Sequence, residues 1–83
     1  LDVREPWEYE IVHLENSRLV PLSQLTYGLS ELDKALPVVV ICHHGIRSAH
    51  ACYLLERLGF KAVNLTGGID RWAREIDPSI PIY

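Results

Sequence analysis

The chain has no stretch approaching the ~18 consecutive apolar residues that a membrane-spanning helix needs. Its opening, Leu1-Asp2-Val3-Arg4-Glu5, is too charged to read as a signal peptide. Basic residues are outnumbered, 8 against 11 acids, and the net charge of −3 excludes a nucleic-acid binder by composition. Cysteine is scarce. Cys42 is expected at a strand end and Cys52 in the second turn of the next helix. Bridged Cα atoms must come within about 7 Å, so the pair is expected to be reduced. A disulfide scaffold is excluded, and a reducing cytoplasm is the expected setting. No C-x-x-C or H-x3-H pair occurs. Cys42, His43, His44, His50 and Cys52 are all ligand types, but consecutive Cys-His-His side chains diverge, so no metal site is expected. Repeats and low-complexity segments are also missing.

Eighty-three residues amount to one domain, residues 1–83, small enough to bury only about 60% of its unfolded surface. Its charge is uneven. Residues 1–16 carry Asp2, Glu5, Glu8, Glu10 and Glu15 against Arg4 alone, a net −4 that reads as a solvated face. The rest nets +1, and its bases could serve a local anion site.

One stretch organises the remainder. Val38-Val39-Val40-Ile41 is an apolar β-branched run, Cys42-His43-His44-Gly45-Ile46-Arg47-Ser48 follows it, and residues 49–58 read as a helix. Residues 38–42 show no polar alternation, as expected of a central strand covered on both faces. A cysteine thus ends a buried strand, at the crevice where open α/β sheets bind ligands. Curled loops and helix N-termini present N–H groups to anions. A thiolate is an anion, and cysteines in such settings fall to roughly 3.5–7.5 from about 8.5 when free. Arg47 places a planar cationic fork, suited to an oxyanion, five residues on. Gly45 permits backbone conformations closed to other residues, and Ser48 stands where a helix cap is expected. The alternative for Cys42 is an inert buried thiol, and the strand-loop-helix setting with Arg47 favours the nucleophile. Cys52, on the apolar helix stripe, reads as packing. His43 and His44 border the loop mouth, where either adds positive charge near its pKa of about 6.5 or only hydrogen-bonds locally. His13 reads as a structural hydrogen-bonding residue in a turn, and His50 as solvated.

Along the chain, Leu1–Arg4 reads as the end of a strand that starts abruptly, so the full domain is expected to begin earlier. Pro6 and its neighbouring acids predict a short helix near 6–11. Arg18-Leu19-Val20 is a brief strand stopped by Pro21, and residues 22–25 form a turn of helix. Leu29, Leu32 and Leu36 fall at helical spacing, with Ser30 as a possible cap and Pro37 as the stop. The helix after Cys42 should bury Ala51, Cys52, Leu55 and Leu58, ending at Gly59. Residues 60–65 form a strand, Thr66-Gly67-Gly68 a turn, and residues 69–76 a helix with Trp72 and Ile76 on its apolar side. This alternation predicts an α/β fold: a central, mainly parallel sheet with helices on both faces.

Laid out in this way, the chain resembles the rhodanese-like domain. Asp2-Val3-Arg4-Glu5 is similar to that family's opening motif. Val12-His13-Leu14 with Val20-Pro21-Leu22 is similar to its Gly-His-Ile segment and following strand. Cys42 to Ser48 is similar to its active-site loop, and Gly67-Gly68-Ile69-Asp70-Arg71-Trp72 to its Gly-Gly-x-x-x-Trp turn. The resemblance implies a sulfurtransferase without cofactor or metal. In it, Cys42 takes sulfur from thiosulfate or a persulfide and passes it to cyanide, a thiol or a sulfur-carrier protein. His43, His44, Gly45, Ile46, Arg47 and Ser48 line the donor site, the loop amides hold the persulfide anion, and Arg47 orients the donor. Val12 departs from the usual glycine. The loop also lacks the extra bases of strong thiosulfate users, which implies thiosulfate as a surrogate donor. The tail from Asp77 to Tyr83 is similar to the ends of rhodanese domains that close sulfur-carrier activating enzymes, and equally to the ends of some stand-alone bacterial members. Two rivals stand beside this reading. A non-catalytic interaction module is one. A cysteine phosphatase or arsenate reductase is the other, but the six residues from Cys42 to Arg47 make a loop one residue shorter than those that enclose a phosphate.

Overall fold

The computed structural model describes residues 1–29 and 32–83. Its elements are α1 (Pro6–Ile11), a 3₁₀ turn (Leu22–Gln24), β1 (Val38–Val40), α2 (Ile46–Arg57), β2 (Ala62–Asn64) and α3 (Gly68–Glu75). The first helix forms where Pro6 and the acids predicted it, and a capping box closes its start: Glu5 and Glu8 exchange backbone and side-chain bonds.

β1 and β2 run parallel, with Val38 opposite Ala62, Val39 opposite Val63 and Val40 opposite Asn64. Two further extended segments extend this ladder. Asp2 bridges Ile41 on one side and Leu19 on the other, both parallel. Val3 N–H donates to Ile41 C=O at 2.9 Å, and Val20 N–H to Asp2 C=O at 2.9 Å. The predicted strands at 1–4 and 18–20 are therefore real but only a bridge long. The α/β architecture with a parallel sheet stands as expected.

The core gathers Val3, Val20, Leu25, Val40, Cys42, Ala51, Leu55 and Phe60. α2 packs on β1, β2 and the 3₁₀ turn, with Ala51 and Leu55 fully buried. Its end is a Schellman motif: Phe60 N–H donates to Leu55 C=O and Gly59 N–H to Glu56 C=O, while Phe60 and Leu55 meet in the core. This geometry corrects the predicted stripe, because Leu58 sits at the cap, 44% exposed, and Cys52 is only half-buried.

Four other readings change. Residues 29 and 32–36 form turns, not one helix, and Ser30 lies outside the described residues. Leu32 N–H bonds Leu29 C=O, Leu36 N–H bonds Asp33 C=O, and the Asp33 carboxylate takes Ala35 N–H. A short acidic side chain thereby captures a donor that a helix would use, and Pro37 disfavours helical backbone at Leu36. β1 is buried on both sides only toward its end: Val39 is 49% exposed beside Val63 at 56%, while Val40 is fully buried. In α3 the buried residues are Gly68, Ile69 and Ala73, while Ile76 is exposed. The acidic first segment is not wholly a solvated face. Glu5, Glu10 and Glu15 are exposed, but Asp2 and Glu8 are buried.

Asp2 is buried because Arg4, also fully buried, donates to both its carboxylate oxygens. Arg4 also donates to the carbonyl of Val12 at 2.6 Å and to the Tyr83 hydroxyl at 2.7 Å. Val12 itself is ordinary extended backbone, φ −163°, so the turn does not depend on a glycine there.

Candidate active site

Cys42 follows the bridged residue Ile41 and is 1% exposed, so its sulfur lies at the bottom of the loop that leads into α2. Gly45, at φ +98°, turns the chain in the left-handed region and donates its N–H to Cys42 Sγ at 3.0 Å. α2 then starts at Ile46, three residues earlier than expected, and Ser48 lies inside it rather than at its cap. The first amides of a helix lack partners within it. Here the sulfur serves as their acceptor: burial pushes the Cys42 thiol up, but the Ser48 hydroxyl and the amides of Ser48, Gly45 and Arg47 outweigh it and hold the thiol below its ordinary value.

A second helix start grips the same loop from behind. Ile69 N–H donates to Cys42 C=O at 2.9 Å, and Asp70 N–H to His43 C=O at 3.1 Å. This approach is why Gly68 is glycine: a Cβ there would lie 2.4 Å from both carbonyl oxygens, and its φ is +63°. The turn at Gly67-Gly68 thus seats α3 on the cysteine loop.

β2 supplies a residue that the sequence reading passed over. Asn64 donates from Nδ2 to Gly45 C=O at 3.1 Å, and Ser48 Oγ donates to Asn64 Oδ1 at 2.5 Å. Ser48 Oγ also lies 3.3 Å from Cys42 Sγ. The signal was one amide within the apolar run Ala62-Val63-Asn64-Leu65.

Arg47 does not stand free at the mouth. Its Nη1 and Nη2 grip the two oxygens of Glu8 at 2.5 and 2.8 Å. This contact holds the Glu8 carboxyl down at about 2 and pushes the guanidinium further up. Two of the five guanidinium N–H groups are so used, leaving three for an anion. Tyr83 closes the far side. Its hydroxyl donates to Glu8 Oε2 at 2.8 Å, its ring stacks on His43 at 3.9 Å, and burial pushes its phenol up to about 12.

His43 is sandwiched between Tyr83 and His44, with Nε2 buried and unpartnered among the described residues. Burial lowers its pKa and so disfavours the charged imidazolium. His43, His44 and Asp70 place one ligand atom each within 4.8 Å of one another. The two imidazoles lie face to face, 4.0 Å apart at 27°, so their lone pairs run side by side instead of converging, and Asp70 is paired with Arg74. His44 and Ile46 are exposed at the mouth. His50 is exposed on α2, and His13 fills its structural role by donating Nδ1–H to Tyr9 C=O at 2.9 Å. Cys52 is a free thiol pushed up by burial and by Glu56, the opposite of Cys42.

Three comparisons bear on this geometry. The sequence profile of the Rhodanese-like domain matches residues 1–75. The chain is 38% identical, over its whole length, to the probable adenylyltransferase/sulfurtransferase MoeZ of Mycobacterium tuberculosis, and 41% identical to the adenylyltransferase and sulfurtransferase uba4 of Ogataea parapolymorpha. It spans 22% of the length of each. The crystal structure of a rhodanese-related protein from Thermoplasma volcanium superposes with a TM-score of 0.86 at 41% identity, covering 92% of this chain and 76% of that one.

Proposed function

Because the chain belongs to the Rhodanese-like domain family, we propose that residues 1–83 act as one sulfurtransferase domain that carries sulfur as a persulfide on Cys42. The observation that carries the reading is the sulfur at the end of the β1 segment, receiving Gly45 N–H at 3.0 Å with the first amides of α2 behind it.

The Cys42 thiolate attacks the outer sulfur of a donor. With thiosulfate, a new S–S bond forms to Cys42, the donor's S–S bond breaks, and sulfite departs with the electron pair. An acceptor nucleophile then attacks the outer sulfur of the persulfide, and the Cys42 thiolate leaves with its electron pair. This is two-step covalent catalysis with ping-pong kinetics. Sulfur bears the negative charge before attack, as persulfide and as leaving group, so amides of Gly45, Arg47 and Ser48 fixed in advance serve every stage. The three uncommitted N–H groups of Arg47 suit the oxyanion end of a donor, and the burial of Cys42 favours a slender one. Thiosulfate serves as a surrogate donor, and the acceptor is a thiol or a sulfur-carrier protein. The chemistry requires a reduced Cys42, which a reducing cytoplasm supplies.

Intact-mass analysis tests this. Thiosulfate treatment should add the mass of one sulfur atom to the chain, cyanide should remove it as thiocyanate, and Cys42→Ser should abolish both. Thiocyanate formation surviving Cys42→Ser would end the mechanism. Failure of the wild type to gain sulfur from thiosulfate or mercaptopyruvate would favour a silent interaction module, and appreciable aryl-phosphate turnover would favour a phosphatase.

A further inference from the structure

Ser48 has one hydroxyl proton and two neighbours that could take it. Its Oγ lies 3.3 Å from Cys42 Sγ and 2.5 Å from Asn64 Oδ1. A third group decides between them. Asn64 Nδ2 faces the carbonyl of Gly45 at 3.1 Å, and a carbonyl can only accept. With its NH₂ committed there, Asn64 turns its oxygen toward Ser48. Ser48 gives its proton to that oxygen and presents a lone pair to the sulfur. The amide is rigidly mounted: Asn64 lies in β2 opposite Val40, and Leu65 N–H donates to Val40 C=O at 2.9 Å.

We propose that Asn64 is a positioning residue that keeps the resting Cys42 as a thiol donating to Ser48, and that ionisation of Cys42 switches the Ser48 hydroxyl from Asn64 to the sulfur. At rest, Sγ–H donates to Ser48 Oγ and Oγ–H to Asn64 Oδ1. When the thiol proton passes to water, Oγ–H rotates away from Asn64 and donates to the thiolate. Only the S–H bond breaks. Asn64 thus competes with the thiolate for one proton and makes the sulfur less acidic than the loop alone would. The charged group facing the sulfur is Arg47 of α2, tied to Glu8 of α1. Beside it in the loop, His43 lies against Asp70 of α3, which is paired with Arg74.

The inference rests on Cys42 as the reactive sulfur, but its test reads the thiol directly and involves no sulfur transfer. In a Cys52→Ser background, Cys42 is titrated by thiolate absorbance and by the pH dependence of its alkylation. Asn64→Leu removes the competing acceptor, and a hydrogen bond freed for a charged partner should lower the Cys42 pKa by about one unit. Asn64→Asp keeps the acceptor and adds a negative charge, so it should raise the pKa. A generally loosened loop would move both variants the same way, toward an ordinary thiol. In a Ser48→Ala background the Asn64→Leu shift should vanish. Opposite signs that depend on Ser48 support the switch. No shift or an upward shift in Asn64→Leu, or a shift that persists without Ser48, overturns it. Should Asn64→Leu not fold, Asn64→Ala is held to the same sign and the same dependence on Ser48. Sulfur loading of the wild type is a separate readout, so the proposed function and the switch can fail independently.

Discussion

Replacing Glu8 by Gln removes one charge from a pair that spans 39 residues and anchors the cation of the cysteine loop. The Glu8 side chain is 4% exposed and Arg47 holds its carboxyl at about 2, against an ordinary 4.5. At about 1.4 kcal/mol per pKa unit, that depression amounts to ~3.5 kcal/mol at most. The Arg47 side chain is 35% exposed, so screening reduces the expected loss to about 2 kcal/mol. For a domain of this size that lowers Tm by roughly 8–16 °C. The sign of the pH dependence follows from the depressed pKa. The stabilisation is present in full above the ordinary value of 4.5 and is lost as pH falls toward 2. Urea denaturation of the wild type and Glu8→Gln should therefore differ by about 2 kcal/mol at pH 7, with the gap narrowing below about pH 4.5 and mostly closed near pH 2.5. A gap of the same size at pH 7 and pH 3 would refute the ion pair as its cause, and equal stabilities at pH 7 would refute the reasoning altogether.

Gly68→Ala should drive a methyl group into the carbonyls of Cys42 and His43, destabilising the fold by more than about 2 kcal/mol in urea and cutting sulfur loading of the surviving folded protein; unchanged loading would show that α3 does not shape the loop. Cys42 should be alkylated by a small reagent at a lower pH than Cys52, because hydrogen bonds pull the first thiol down while burial and Glu56 push the second up; peptide mapping after timed labelling distinguishes them. Leu55→Ala, at a fully buried position in α2, should cost about 2–5 kcal/mol by chemical denaturation, and a loss under 1 kcal/mol would contradict the core described for α2.

Much of the fold was legible because its signals act over a few residues. Pro6 with its acids marked α1, Gly59 marked the end of α2, and a β-branched run before a cysteine marked the strand end. The failures have two causes, one local and one long-range. Leu29, Leu32 and Leu36 carry helical spacing, but the Asp33 side chain takes a backbone N–H and Pro37 follows, so local hydrogen bonding overrides the pattern. Ser48 looked like a cap because the sequence cannot show that a sulfur six residues earlier takes the first amides of α2. Glu8 looked solvated because nothing near it in sequence announces Arg47.

From the sequence alone came the alternation of strand and helix, the cysteine at the turn between them and the two glycines that seat the last helix, since periodicity and backbone permissiveness are properties of neighbouring residues. Packing alone decided that Asn64 braces the loop from β2, that Glu8 claims Arg47, and that Tyr83, 75 residues from Glu8, closes the side of the site. Those bonds join groups far apart along the chain, and hydrogen-bonding partners of that kind are assigned only once the sheet and its helices have brought them within three ångströms or so of one another.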